Sequence, residues 1–345
     1  MEITNRLPAV LLPWYRENRR DLPWRKDRDP YHVWISEIML QQTRVEAVRE
    51  YYLRFLEALP TLDALADCDD ALLQKLWEGL GYYSRMRNLK KAAMEIRDRF
   101  GGVFPSDPRD ILSLPGIGEY TCGAISSISF GNPIPAVDGN VLRVISRIQN
   151  DSTPIDTPAF KKDITSALAN IYPEDAGSFT QALMELGATV CGPNRKPDCE
   201  RCPCRDFCGA FAAGTQKDLP VKLPKKEKKE EAWTVFILRC ADRYALVKRP
   251  VRGLLAGLWQ FPAVSGTLEP QQALKSLLAM GFSPADMHRQ TDKNHICTHK
   301  IWIMRGYYLT VQEEAAGYSW FSMDQIRQEV ALPTAFRQFL DDGMF

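Results

Sequence analysis

Between Leu112 and Ser146 the chain reads LSLPGIGEYTCGAISSISFGNPIPAVDGNVLRVIS, and two sets of residues there could do chemistry. Gly116 and Gly118 suit a tight hairpin whose N–H groups point outward together at a helix N-terminus, a device for holding a phosphate. Asp138 stands at the head of another helix, where the dipole and unpaired N–H groups favour an ionised carboxylate. A phosphate anchor close to a fixed negative charge suggests chemistry on a nucleic acid. A second acid, Glu37, lies inside the apolar run YHVWISEIMLQQTR, Tyr31 to Arg44. Burial there would raise its pKa, whereas a position facing water or an arginine would leave it an ordinary surface carboxylate. Both readings fit the window. Cys191, Cys199, Cys202 and Cys208 follow the spacing C-x7-C-x2-C-x5-C, with Cys204 inside the last interval. Thiolates this dense on a Pro-containing loop imply a metal centre, zinc or iron-sulfur, and spacing alone does not choose.

The elements that must hold these groups divide the chain in two. At 345 residues it exceeds one typical core. Residues 1–215 carry helical periodicity throughout. Leu89, Ala93, Ile96 and Phe100 mark one buried helix face, closed by Gly101-Gly102. Phe160 to Ile171 and Ala176 to Ala188 form two more helices leading into the cysteines. Residues 216–231, QKDLPVKLPKKEKKEE, have the composition of a linker. Beyond it, residues 232–345 read as α+β. Strands are expected at Trp233–Arg239, Tyr244–Lys248, Ile301–Leu309 and Tyr318–Phe321, with helices at Pro270–Met280 and Met323–Val330.

Composition narrows the function further. With 45% hydrophobic and 25% charged residues the chain is globular, and its formal net charge of +1 means that nucleic-acid binding must rest on local patches. Candidates are the interleaved Tyr82, Tyr83, Arg85 and Arg87, and the cations Arg195, Lys196, Arg201 and Arg205 of the cysteine loop. The apolar run Pro8 to Tyr15 is short and interrupted by prolines, so no signal or transit segment is visible. A cytoplasmic protein of bacterial type is expected, a monomer with no membrane association.

Taken together, the Gly116-x-Gly118 hairpin, Asp138 and the four-cysteine loop resemble the helix-hairpin-helix DNA glycosylase superfamily, whose cluster-bearing members hold a 4Fe-4S centre. The resemblance implies that Cys191, Cys199, Cys202 and Cys208 ligate such a cluster, although the family's first interval is usually six residues rather than seven. Within the superfamily, SEIMLQQT, GLGYYSRMRNL, VDGNVLRV and, past the linker, KRPVRGLLAGLWQFP are similar to motifs of the adenine DNA glycosylases, the MutY family. The position where bifunctional relatives carry a nucleophilic lysine is Tyr120, so no Schiff-base lyase step is expected.

That likeness implies a set of roles. Glu37 would be the general acid toward adenine and Asp138 the carboxylate stabilising an oxocarbenium-like sugar, with Tyr120 and Asn140 orienting the site. Trp24, Arg25 and Gln181 would line the adenine pocket. Gln42, Thr43, Leu80 and Tyr82 would wedge into the duplex near the damaged guanine, while Gly116 and Gly118 grip phosphate. The C-terminal domain would be Nudix-like, reading 8-oxoguanine with Thr298 and His299 of Cys297-Thr298-His299, where the family commonly has Phe-Ser-His. PQQALKSLLAMGF lacks the glutamates that a Nudix hydrolase uses for metal. The implied reaction is monofunctional removal of adenine opposite 8-oxoguanine or guanine in double-stranded DNA. The alternatives are a pyrimidine-lesion glycosylase/lyase of the endonuclease III type, or a catalytically silent DNA-binding protein.

Overall fold

The computed structural model describes residues 3–193, 197–224 and 227–340, so the loop cations Arg195 and Lys196 lie outside the described residues. Two compact units are present. The first comprises Met1–Asp67 and Arg87–Pro224, the second Cys68–Met86 and Lys225–Phe345. A stretch of the helical half is therefore built into the C-terminal unit, which the linker composition gave no sign of.

In chain order the first helices are α1 (Arg6–Asn18), α2 (Pro30–Leu40), α3 (Val45–Ala58) and α4 (Leu62–Asp67), then α5 (Asp70–Leu76) and α6 (Ser84–Phe100). The hairpin pair α7 (Pro108–Ser113) and α8 (Glu119–Phe130) follows, then α9 (Gly139–Gln149), α10 (Pro158–Ala169), α11 (Ala176–Thr189) and α12 (Gly209–Ala213). Local chemistry sets the boundaries. Asp29 caps α2 by accepting the Tyr31 N–H at 2.8 Å, with Pro30 in the first turn. α2 ends at Leu40, short of the expected Arg44, because Gln42 takes a left-handed backbone, φ 58°. α9 starts at its cap Asp138 and stops at Asn150, which is also left-handed.

Side chains of α1, α9, α10 and α11 form one core cluster of the first unit, which includes Leu11, Tyr15, Ile145, Ile164, Phe179 and Leu183. α2 has almost no solvent face. Val33, Trp34, Ile35, Ser36, Glu37, Ile38 and Met39 are all buried. The choice left open at Glu37 is thereby made.

The second unit is a mixed sheet. Its strands are β1 (Lys229–Cys240), β2 (Arg243–Lys248), β3 (Trp259–Gln260), β4 (Ala263–Ser265), β5 (Pro284–Ile296), β6 (Lys300–Val311) and β7 (Ser319–Ser322). The order is β3-β2-β1-β6-β5, with β4 on β1 and β7 on β2, and β1 runs parallel to β6. α13 (Pro270–Ala279), α14 (Met323–Gln328) and α15 (Thr334–Arg337) complete it. β1 begins inside the stretch read as linker. β5, absent from the sequence reading, pairs antiparallel with β6, and residues 297–300 make the tight turn between them, closed by Cys297 N–H to Lys300 O at 2.8 Å. Thr298 and His299 are exposed at its tip. Among the described residues, no helix is long and apolar enough to cross a membrane.

Candidate active site

A cavity of about 500 Å³ in the first unit is lined by α2, the turn before it, the start of α8, the head of α9 and one face of α11. It brings together Glu37, Tyr120, Asp138, Asn140 and Gln181, which the sequence scatters over more than half the first unit. Glu37 is 5% exposed, and Tyr120 donates its hydroxyl to Oε2 at 2.6 Å. Burial pushes the Glu37 carboxyl up to about 7; the Tyr120 hydrogen bond and Arg25 oppose this, and Asp138 adds to it. Burial and the adjoining carboxylates hold the Tyr120 phenol well above its usual range, so it stays a donor.

Asp138 is tied by its own helix. Oδ1 accepts the N–H groups of Asn140 and Val141 at 2.9 and 2.8 Å, and Oδ2 accepts Asn140 Nδ2 at 2.7 Å. Burial nevertheless lifts its pKa above the ordinary carboxylate value, against the pull of those donors and Arg143. The dipole alone therefore does not set its charge, contrary to the simple reading from its cap position. The three N–H bonds still favour the anion locally. Asn140 is itself held, because Arg143 Nη2 donates to its Oδ1 at 2.9 Å and to Gly187 O at 2.8 Å.

The other expected pocket residues fall on the same cavity. Trp24 packs edge-on against Tyr52, centroids 5.5 Å apart. Gln181 Oε1 accepts the Tyr15 hydroxyl at 2.9 Å. Arg25 donates to Glu185 Oε2 at 2.8 Å, and Arg20 grips the other oxygen, Nε to Oε1 2.8 Å. Glu185 was missed by sequence reasoning. Burial would raise its pKa, but the hydrogen bonds from Arg20 and Arg25 outweigh that and carry it down to about 2. Its signal was an acid in the apolar run ALMELG, the same signal as Glu37 gave; its arginine partners are adjacent only in space. Met184 and Ser36 also line the cavity and were not singled out.

Gln42 and Thr43 line the cavity too. Leu80 and Tyr82 are not in its lining; both belong to the second unit, as do Thr298 and His299. At the hairpin, Gly116 has φ 79°, and an added Cβ would stand 2.6 Å from Asn88 Cβ. Gly118 is extended, and a Cβ there would meet nothing within 4 Å. Only the first glycine is sterically required.

The cysteines gather in a separate place. Cys191, Cys199, Cys202, Cys204 and Cys208 ring one small apolar space beside Val144 and Leu186, and none is in a disulfide. Among the described residues, no group of three His, Cys, Asp or Glu side chains is close enough to grip a single ion. Arg147 Nη1 donates to Cys191 Sγ at 3.2 Å, and Arg143 Nε to Cys191 O at 2.8 Å. Soft sulfur donors around one apolar space, with a cation on one sulfur, suit a soft metal centre rather than a hard ion.

Comparison with known proteins places this geometry. Residues 35–169 match the HhH-GPD superfamily of base excision DNA repair proteins, and residues 234–342 match the NUDIX domain. An adenine DNA glycosylase of Arabidopsis thaliana is 38% identical over 302 residues, 76% of this chain and 48% of the relative, so the chain spans about half that protein's length. One from Rattus norvegicus is 38% identical over 397 residues, covering 95% of this chain and 76% of the relative. The solved structure of a thermostable thymine-DNA glycosylase superposes with a TM-score of 0.53 at 29% identity, covering 59% of this chain and 94% of that one. With an acid, its tyrosine partner and a capped aspartate set round one cavity of a helical glycosylase unit, and with likeness extending through the Nudix-like unit, this chain belongs to the adenine DNA glycosylase family.

Proposed function

We propose that the chain removes adenine mispaired with 8-oxoguanine or guanine from double-stranded DNA, by hydrolysis of the N-glycosidic bond after the base is flipped out of the stack. The observation that carries this is Glu37, a carboxyl with a pKa of about 7, hydrogen-bonded to Tyr120 and sharing a cavity with Asp138. Adenine leaves poorly as an anion. A proton on a ring nitrogen makes it a neutral leaving group, and an acid still protonated near neutrality can supply that proton. As the bond breaks, positive charge develops on the sugar, and Asp138, fixed by three N–H donors, supplies the opposing charge. A cavity of this volume fits one flipped base, between the Trp24 side and the Gln181 amide. Tyr120 offers a phenol where a lyase would need an amine, so the strand is left intact.

Cys191, Cys199, Cys202 and Cys208 would hold a 4Fe-4S cluster, with Arg147 balancing charge on the first sulfur. Bound there, the cluster would supply thiolate–iron cross-links that fasten the loop to Cys191 at the end of α11; the excision chemistry belongs to Glu37 and Asp138.

The test is a duplex carrying one adenine opposite 8-oxoguanine, incubated with the protein and then heated in alkali. Strand breakage that appears only after alkali is expected. Breakage without alkali would mean lyase chemistry, and no breakage in either condition would remove the excision reading.

A further inference from the structure

Glu78 is 7% exposed, carries no part of the excision chemistry, and lies in the segment Cys68–Met86 that packs into the C-terminal unit. Its carboxylate meets three donors there. Oε1 accepts the Leu332 N–H at 2.8 Å, Oε2 takes Lys75 Nζ at 2.8 Å, and Arg337 Nη2 closes on the same oxygen. Lys75 Nζ also donates to Val330 O at 3.1 Å and Ile326 O at 3.4 Å, satisfying carbonyls at the end of α14. A carboxylate withdrawn from water holds its donors tightly, because losing any one leaves charge uncompensated.

What this fastening holds is the turn after it. Gly79, Gly81 and Tyr82 all have positive φ, 97°, 71° and 49°. A tyrosine in that region is strained unless its surroundings hold it. The surroundings do: Arg85 lies over the Trp77 and Tyr82 rings at 5.4 and 5.3 Å and donates to Leu80 O and Gly81 O, while Trp77 Nε1 donates to Gly81 O at 3.0 Å. The turn thus presents Tyr82, 40% exposed, from a rigid base whose N-terminal end is Glu78.

We propose that Glu78 is a positioning residue for reading the base opposite the adenine, acting by fastening the Leu80–Tyr82 turn to the end of the C-terminal unit. The inference rests on the adenine-excision reading above. Leu80, Tyr82, Thr298 and His299 all belong to the second unit, whereas Glu37, Asp138 and Gln181 belong to the first. If Leu80, Tyr82, Thr298 and His299 take the roles that the resemblance gives them, contacts to the opposite base and the bond-breaking chemistry lie on different units, and Glu78 acts on the former.

The experiment uses the full-length protein and compares single-turnover excision from A:8-oxoguanine and A:guanine duplexes, each rate corrected for active fraction so that partial unfolding does not enter. Glu78→Ala should lower the ratio of the two rates by about fivefold, in the range of coupling changes that network residues produce. Glu78→Gln should lower it less, because the amide oxygen still accepts from Leu332 N–H. Arg337→Met, at a side chain 40% exposed, tests the same fastening without emptying a buried site and should move the ratio in the same direction. An unchanged ratio in all three variants overturns the proposal. A parent protein that excises adenine from neither duplex overturns the excision reading instead, which is a distinguishable result.

Discussion

Glu37 holds its proton against solvent because α2 is encased, and that has a consequence for stability as well as for rate. Its carboxyl has a folded pKa of about 7 against an ordinary 4.5, so between those values the folded state keeps a proton that the unfolded chain has released. Stability is therefore lost as pH rises through that window, and above 7 the full penalty, on the order of 3 kcal/mol, is present. Glu37→Gln removes the titrating group while keeping an acceptor for Tyr120. It should abolish excision yet raise Tm at pH 8, with the gap to the parent shrinking through pH 5 and closing below about pH 4; thermal unfolding across that range decides this, and an equal or lower Tm at pH 8 refutes it. The parent's excision rate should fall above about pH 7 as the acid ionises. Tyr120→Phe deletes the hydrogen bond that favours the ionised form, so its pH–rate profile should keep an alkaline limb displaced to higher pH, with a plateau about 10- to 100-fold lower from lost orientation. A limb that stays at the parent's pH would mean that Tyr120 does not act on the ionisation of Glu37, and one that moves to lower pH would mean that it favours the protonated form instead. The sequence exposed Glu37 as a candidate but not its burial, because nothing in YHVWISEIMLQQTR says that every face of the helix is covered.

At the scale of elements, the hairpin between α7 and α8 separates a requirement from a habit. Gly116 combines a left-handed backbone with a Cβ that would collide with Asn88, whereas Gly118 is extended with open space beside it. Gly116→Ala should cost about 1–3 kcal/mol in denaturant unfolding and Gly118→Ala under about 1 kcal/mol. Similar losses for both would show that the turn needs two glycines for a reason other than backbone geometry. Both looked alike in the sequence, because the motif shows residue type and not φ. The helices themselves were legible. α8 and α9 begin at the hairpin and at Asp138, where the sequence places helix starts, and α10 and α11 match their amphipathic runs to within two residues. β5 was not legible, since PADMHRQTDKNHI alternates between exposed and half-buried positions that are polar on both faces; pairing with β6 makes it a strand, not hydrophobic contrast.

For the molecule as a whole, the division of the chain does not follow its composition. The charged, proline-containing run marks where the backbone passes from one unit to the other, but Cys68–Met86 already belongs to the second. Glu78 and Lys75 tie it there, meeting groups more than 240 residues away, as in Leu332 N–H to Glu78, 254 residues apart, and Lys75 to Ile326 O, 251 apart. A linear reading has no access to pairings at such separation. It follows that cutting the chain at the linker should not yield two self-sufficient halves. A fragment ending at Pro224 carries Leu73, Leu76, Trp77, Leu80 and Tyr83, all buried in the intact protein, without the rest of the unit that 68–86 belongs to. It should therefore bind a hydrophobic dye and unfold at lower temperature than the same residues do in the full chain, by about 2–4 °C for each kcal/mol lost, and adding the 225–345 fragment should reduce the dye signal. The measurement is dye fluorescence and Tm for the fragment, the mixture and the intact chain. A 1–224 fragment that binds no dye and unfolds where the intact protein does would mean that 68–86 is a guest of the second unit and not a part of it, and would separate the fastening at Glu78 from the stability of the fold.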